Sequence, residues 1–181
     1  MGSVQTLERP STKLTARDPR LAPWRAFMRA HAQLSRRLDE DLRAEHGLSH
    51  QEYVALLFLA ESPDRRLRMG RLAEVLILSK SGATRLIDRL VEDGLVERLS
   101  CPSDARGAEA QLTEQGLDRL RTAAPTHLRG IDDYFLSAID QPDLEVIQRA
   151  MTDVADRICA APDSARCATR GISAEAREAT R

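Results

Sequence analysis

"LSKSGATRLIDRLVEDGLVERLSCPSDARG", residues 78–107, decides how the rest of the chain is read. Ser79 carries a side-chain oxygen suited to capping a helix, and Gly94 stands where a left-handed residue closes one. Between them Ala83, Leu86, Ile87 and Leu90 recur at helical spacing and point one way, while Ser81, Thr84, Arg85 and Asp88 form the opposite face. After Gly94 the period changes: Leu95, Glu97 and Leu99 alternate with Val96, Arg98 and Ser100, which is a strand pattern. "AEAQLT" beyond "PSDARG" supplies the returning strand, so a two-faced helix runs into a β-hairpin with a turn-rich tip.

Upstream, "RMGRLAEVL" predicts a short helix with Met69, Leu72, Ala73 and Leu76 on its inner stripe, although Arg68 offers no capping side chain. "SPD" separates it from "YVALLFLA", Tyr53 to Ala60, apolar nearly all round and therefore central. "SHQE", Ser49 to Glu52, is a capping-box pattern at the start of that central helix. A long amphipathic helix precedes it, from Pro23 to about Arg43, carrying Trp24, Phe27, Met28, His31, Leu34, Leu38 and Leu42, and Gly47 ends it. Downstream, Thr113 caps a fifth helix reaching through Leu117, Leu120, Leu128, Ile131 and Phe135 to Ile139, with Pro125 as a point of kinking. A sixth starts at "DQPDLEV" and carries Leu144, Ile147, Met151, Val154 and Ile158. Residues 1–20 are Pro-interrupted and read as a mobile arm, and residues 161–181 lack an apolar stripe and read as a disordered tail.

The 181 residues suit one domain with tails, and a formal net charge of −1 rules out a uniformly basic protein. Any affinity for nucleic acid must come from local clusters, and residues 65–106 supply nine cationic side chains against six acidic ones. Cys101, Cys159 and Cys167 match neither a disulfide framework nor paired metal-ligand spacing, which suggests a reducing compartment. No window approaches a membrane span and no secretory leader is evident, so the expected location is cytoplasmic with no membrane partner. Glycine-rich phosphate loops, a nucleophile elbow and a metal-ligand set are missing, which argues against an enzyme and against a cofactor. His46, His50 and His127 with Glu45 do not make a metal site by spacing, because Gly47 and Ser49 interrupt the 46–50 pair.

Short helix, turn, helix and hairpin together form a winged helix-turn-helix, whose second helix enters the major groove of double-stranded DNA. Lys80, Ser81, Thr84, Arg85 and Arg89 are the candidate contacts on that helix, since Arg bonds guanine edges bidentately and Lys, Ser and Thr bond phosphates or bases. Arg106 at the hairpin tip has the length to reach an adjacent minor groove, and Arg98 divides between a phosphate contact and a strand-surface role. The plainer account of Arg85 and Arg89 is a solvated face paired with Asp88 and Glu92.

Residues 68–120 resemble the signature core of the MarR family of bacterial transcriptional regulators. The resemblance rests on L-x-x-x-G-L-V-x-R from Leu90 to Arg98, D-x-R-G from Asp104 to Gly107, and L-T-x-x-G from Leu112 to Gly116. It implies a mainly α fold with a small β-hairpin wing: a winged domain at about 49–113 within a domain of 21–160. Dimerisation helices would cover about 21–46 and 114–160. It further implies a homodimer on a pseudo-palindromic site, usually repressing, with Asp104 orienting Arg106 at the wing tip. Trp24, Met28, His31 and Tyr53 are then candidates to line a cleft for a small aromatic effector, although their spacing equally suits an ordinary core. A turn of this kind often uses Gly or another residue tolerant of positive φ, yet Ile77 occupies it, so an altered turn is expected. Two other readings stay open here: a winged-helix module that binds protein in place of DNA, and a regulator responding to metal or, through Cys101, to oxidation.

Overall fold

The computed structural model describes residues 13–100 and 108–160. Among these residues six α-helices run in the order α1 (Ala22–His46), α2 (His50–Ala60), α3 (Met69–Val75), α4 (Lys80–Glu92), α5 (Glu114–Tyr134) and α6 (Gln141–Cys159). A small sheet lies between α2 and α5 in sequence: β1 (Arg66–Arg68), β2 (Val96–Ser100) and β3 (Ala108–Leu112), antiparallel and ordered β1-β3-β2. The chain is therefore mainly helical with a β wing, as the hairpin and helix patterns predict. The arm and tail read at 1–20 and 161–181 fall largely outside the described residues, although a 3₁₀ turn at Pro19–Leu21, capped by Asp18, closes the span read as arm.

Local signals place most of the helix ends. Ser49 Oγ accepts the Glu52 N–H at 3.2 Å, and Glu52 Oε2 accepts the Ser49 N–H at 2.9 Å, which completes the capping box of α2. Such a cap stabilises a helix by about 1 kcal/mol because it satisfies amides the helix itself cannot. A second anchor comes from α1, where Asp39 Oδ1 accepts the His50 N–H at 2.8 Å. Ser79 and Thr113 cap α4 and α5 by accepting the Gly82 and Gly116 amides. Arg68 gives α3 no side-chain cap, in line with its chemistry.

The core forms around α2, whose Ala55, Leu56 and Leu59 are fully buried. Leu42 from α1, Leu72 from α3, Leu86, Ile87 and Leu90 from α4, Val96 and Leu112 from the wing, and Leu117, Leu120 and Ala123 from α5 pack against it. Burying such aliphatic side chains contributes roughly 1.5–3 kcal/mol each, so this cluster is the main source of stability. All four residues read as the inner face of α4, Ala83 included, are buried.

Four features of the fold depart from what the sequence predicts. The strand β1 is unforeseen: Leu67 pairs with Ala110 while Arg66 and Arg68 flank it, so it carries no apolar alternation and exists through its partner β3. The helix α5 stops at Tyr134 and the chain passes through a 3₁₀ turn at Leu136–Ala138, which leaves Ile139 outside it. Ile77 does not alter the turn it occupies but adopts the left-handed conformation itself, at φ 54°. Cys159 is disulfide-bonded, contrary to the reading of its spacing.

Candidate nucleic-acid interface

One face of α4 is buried in the core and the other is open, and the sequence dictates which. With Ala83, Leu86, Ile87 and Leu90 packed inward, the 100° step of the helix turns Ser81, Thr84 and Arg85 to solvent, and all three are exposed together with Lys80. Ser79 and Ser81 hydroxyls lie 3.2 Å apart at the entry to the helix. Lys80 and Arg85 form no ion pair among the described residues, so their charge is available to a partner.

The other two arginines of the region are held. Arg89 Nε donates to Glu52 Oε1 at 3.1 Å, so the carboxylate that caps α2 also ties α4 to it. Arg98, from β2, pairs with Asp88 at 2.8 Å and donates to the Thr84 carbonyl at 3.3 Å. These contacts brace the wing against α4 and neutralise Asp88, the acid one turn from Arg85. Thr113 Oγ1 donates to the carbonyls of Gly94 and Leu95 at 2.9 and 3.1 Å, which locks the wing base to the start of α5. Asp104 and Arg106, the wing-tip candidates, and Cys101 at its base lie outside the described residues.

The geometry thus sorts the eight candidates: Lys80, Ser81, Thr84 and Arg85 share one open surface, Arg89 and Arg98 brace it, and the tip pair is undescribed. The local pairs read for Arg85 and Arg89 with Asp88 and Glu92 do not form; Arg89 pairs with Glu52 and Asp88 with Arg98 instead. Sequence reasoning had no signal for these bonds, because their partners lie on other elements.

The four effector candidates divide. Trp24 and Met28 lie on an exposed stripe of α1, with the Trp24 and Phe27 rings 6.0 Å apart. Tyr53 is 3% exposed and its ring centroid is 4.4 Å from His127, itself 5.4 Å from His50. His31 stands between, stacked at 6.1 Å on Phe27 and close enough to His50 to disfavour its protonation. The histidine cluster is apolar in character: burial lowers the His127 pKa to about 4, aided by His50, and its buried Nδ1 has no partner. A cleft of about 560 Å³ opens elsewhere, between the end of α1 and α5, lined by Gly47, Leu48, Asp93, Leu95, Gln115, Asp118, Arg119 and Thr122. None of the four candidates lines it. Among the described residues no cluster of His, Cys, Asp and Glu suits a metal ion, and no helix is long and apolar enough to cross a membrane.

Known proteins share both this fold and this sequence pattern. The family model for the MarR family matches residues 46–107, a stretch that takes in α2, α3, α4 and β2. AbsC of Streptomyces coelicolor, a MarR family transcriptional regulator, is 33% identical and superposes with a TM-score of 0.72 over 82% of this chain and 98% of that one. Sco3205 of the same organism, solved in complex with DNA, is 31% identical with a TM-score of 0.75 over 88% of this chain and 98% of that one. The transcriptional regulator MhqR of Bacillus subtilis is 26% identical over 118 residues, 65% of this chain and 79% of its own length. With 33% identity over nearly the whole length of a solved member, this chain belongs to the MarR family of transcriptional regulators, which are not enzymes.

Proposed function

We propose that the chain binds double-stranded DNA sequence-specifically, as a homodimer on a pseudo-palindromic operator, and represses transcription from it. The observation that carries this is the open face of α4, where unpaired Lys80 and Arg85 flank the hydroxyls of Ser81 and Thr84 on a helix whose other side is fixed in the core. Such a face matches the major groove, where Arg reads guanine edges and small hydroxyls bond phosphates. That the related Sco3205 is seen on DNA supports the reading. Asp104 and Arg106 carry over from the family motif as the minor-groove pair, and Arg98 and Arg89 act by holding the helix and wing in place.

The dimer follows from unburied apolar surface. The amphipathic helix α6 buries none of its residues within the chain, and Val146, Met151, Val154 and Ile158 stay exposed along it, as do Trp24, Phe27 and Met28 on α1. Patches of that kind mark an association surface, so α1, α5 and α6 assemble with a second copy, over about 21–46 and 114–160. Two weak half-site contacts on one rigid body then reinforce each other. Release by a small aromatic effector is carried from the family resemblance, with His31 and Tyr53 as the candidates nearest a shared cluster. A cytoplasmic location accords with this role.

The test is to pass fragmented DNA from the source genome over the protein at physiological salt and sequence what is retained, alongside Arg106→Ala. Enrichment of a pseudo-palindromic site that the variant fails to retain supports the proposal. Absence of enrichment with both proteins favours a winged-helix module that binds protein.

A further inference from the structure

The end of α3 and the end of α4 close in the same way, with one difference that matters. After α3, the Ile77 N–H donates to the Glu74 carbonyl at 3.1 Å and the Leu78 N–H to the Ala73 carbonyl at 2.8 Å. After α4, the Gly94 N–H donates to Val91 at 3.0 Å and the Leu95 N–H to Leu90 at 2.8 Å. Both are Schellman closures, which place one residue in the left-handed region. In α4 that residue is Gly94, at φ 72°; in α3 it is Ile77, at φ 54°. A β-branched side chain is among the least tolerant of this conformation, and glycine adopts it freely.

Among the described residues the Ile77 side chain finds no packing that repays the strain. Ile77 is 90% exposed, the highest of the exposed large apolar side chains among the described residues. The apolar contact that usually accompanies the closure falls to Leu78, which packs against the core. Ile77 does stand three residues before Lys80, at the end of α4 where Lys80 and Ser81 open to solvent. It also lines, with Gly70, Ala73, Glu74, Leu78 and Lys80, a cleft of about 750 Å³ beside that face. Strained residues that persist without a packing reason concentrate at functional contacts.

We propose that Ile77 is a specificity contact of the DNA interface, its side chain packing on the C5 methyl group of a thymine in the major groove where α4 enters. The surface is continuous with the Lys80–Ser81–Thr84–Arg85 face, and thymine is the base that offers an apolar group on that groove edge. The inference rests on the DNA-binding reading above. It explains why the turn keeps isoleucine: the methyl contact is made in the complex, and the strain is borne in the free protein.

The experiment compares wild type, Ile77→Gly, Ile77→Asn and Arg85→Ala by thermal unfolding and by binding to a retained operator duplex, in which each thymine is replaced in turn by deoxyuridine. Ile77→Gly and Ile77→Asn are expected to raise Tm and to weaken binding roughly three- to tenfold, as loss of one or two buried methyl groups would. Their salt dependence should match wild type, since no phosphate contact is removed. At one thymine per half-site, deoxyuridine should weaken wild type by about the same factor and leave Ile77→Gly unchanged. A raised Tm with wild-type affinity on every duplex would overturn the proposal. Loss of binding in Arg85→Ala alone places that failure with Ile77; no binding by wild type places it with the DNA-binding reading itself.

Discussion

Arg89 Nε lies 3.1 Å from Glu52 Oε1, so a single carboxylate caps α2 and tethers the helix that exposes Lys80, Ser81, Thr84 and Arg85. The Glu52 side chain is 12% exposed and also accepts the Ser49 amide, so removing it leaves two donors without a partner. Burial pushes the Glu52 carboxyl up, but the Ser49 amide and hydroxyl bonds and Arg89 outweigh it and hold it below the ordinary carboxylate range. A carboxylate with a depressed folded pKa contributes stability above the ordinary value near 4.5 that is lost as pH falls through the folded value. Glu52→Gln should therefore lower stability by about 1 kcal/mol at neutral pH and flatten the acid limb of the profile, measured by denaturant unfolding from pH 7 to 3. An unchanged acid limb would contradict it.

His127 predicts a second pH dependence at milder acidity. Burial and the neighbouring His50 lower its pKa to about 4, whereas the unfolded chain protonates near 6.5. Between those values the unfolded state binds a proton that the folded state does not, so stability should fall as pH drops from about 6.5 toward 4. His50 is shifted in the same direction, by burial first and then by His31 against the opposing pull of Asp39, and adds to the effect. Denaturant midpoints at pH 7.5 and 5 should converge in His127→Gln, and an equal drop in wild type and variant would remove His127 from the account.

Gly116 should tolerate no side chain. A Cβ there would stand 2.1 Å from the Leu95 carbonyl oxygen, which is backbone and already receives the Thr113 amide and hydroxyl. Gly116→Ala is expected to cost about 3 kcal/mol or more by displacing the wing base from α5. Gly70→Ala, with nothing within 4 Å of the new methyl, is the matched control and should be neutral or up to about 1 kcal/mol stabilising.

The proposed association surface makes a separable prediction. Because no residue of α6 is fully buried and Met151 and Val154 are exposed, Met151→Asp combined with Val154→Asp should leave the winged core folded while halving the mass seen by sedimentation. DNA binding should fall by more than about tenfold, since each half-site is then engaged alone. A variant that sediments like wild type would place the interface elsewhere.

Much of this architecture is legible in sequence because it is encoded locally. The capping box at Ser49, the two faces of α4 and the closure at Gly94 each depend on residues within a few positions of one another. What escaped is non-local. Strand β1 is three residues long and is defined by Leu67 opposite Ala110, and the partners of Arg89 and Arg98 lie on α2 and α4 respectively. The grouping of Trp24, Met28, His31 and Tyr53 divided for the same reason: helical spacing cannot distinguish the stripe that meets α2 and α5 from the stripe left open. Ile77 was visible as an odd residue in its turn, but that the chain bears the strain there and keeps the side chain exposed required the fold.

Whether the open face of α4 binds DNA through Lys80 and Arg85 is decided by measuring Kd for the retained duplex across a salt series, with wild type and Arg85→Ala. Log Kd should rise steeply with log salt, Arg85→Ala should weaken binding by about 1–3 kcal/mol, and the variant should discriminate less between the operator and a scrambled duplex. Equal affinities for the two proteins, or binding indifferent to salt, would contradict it.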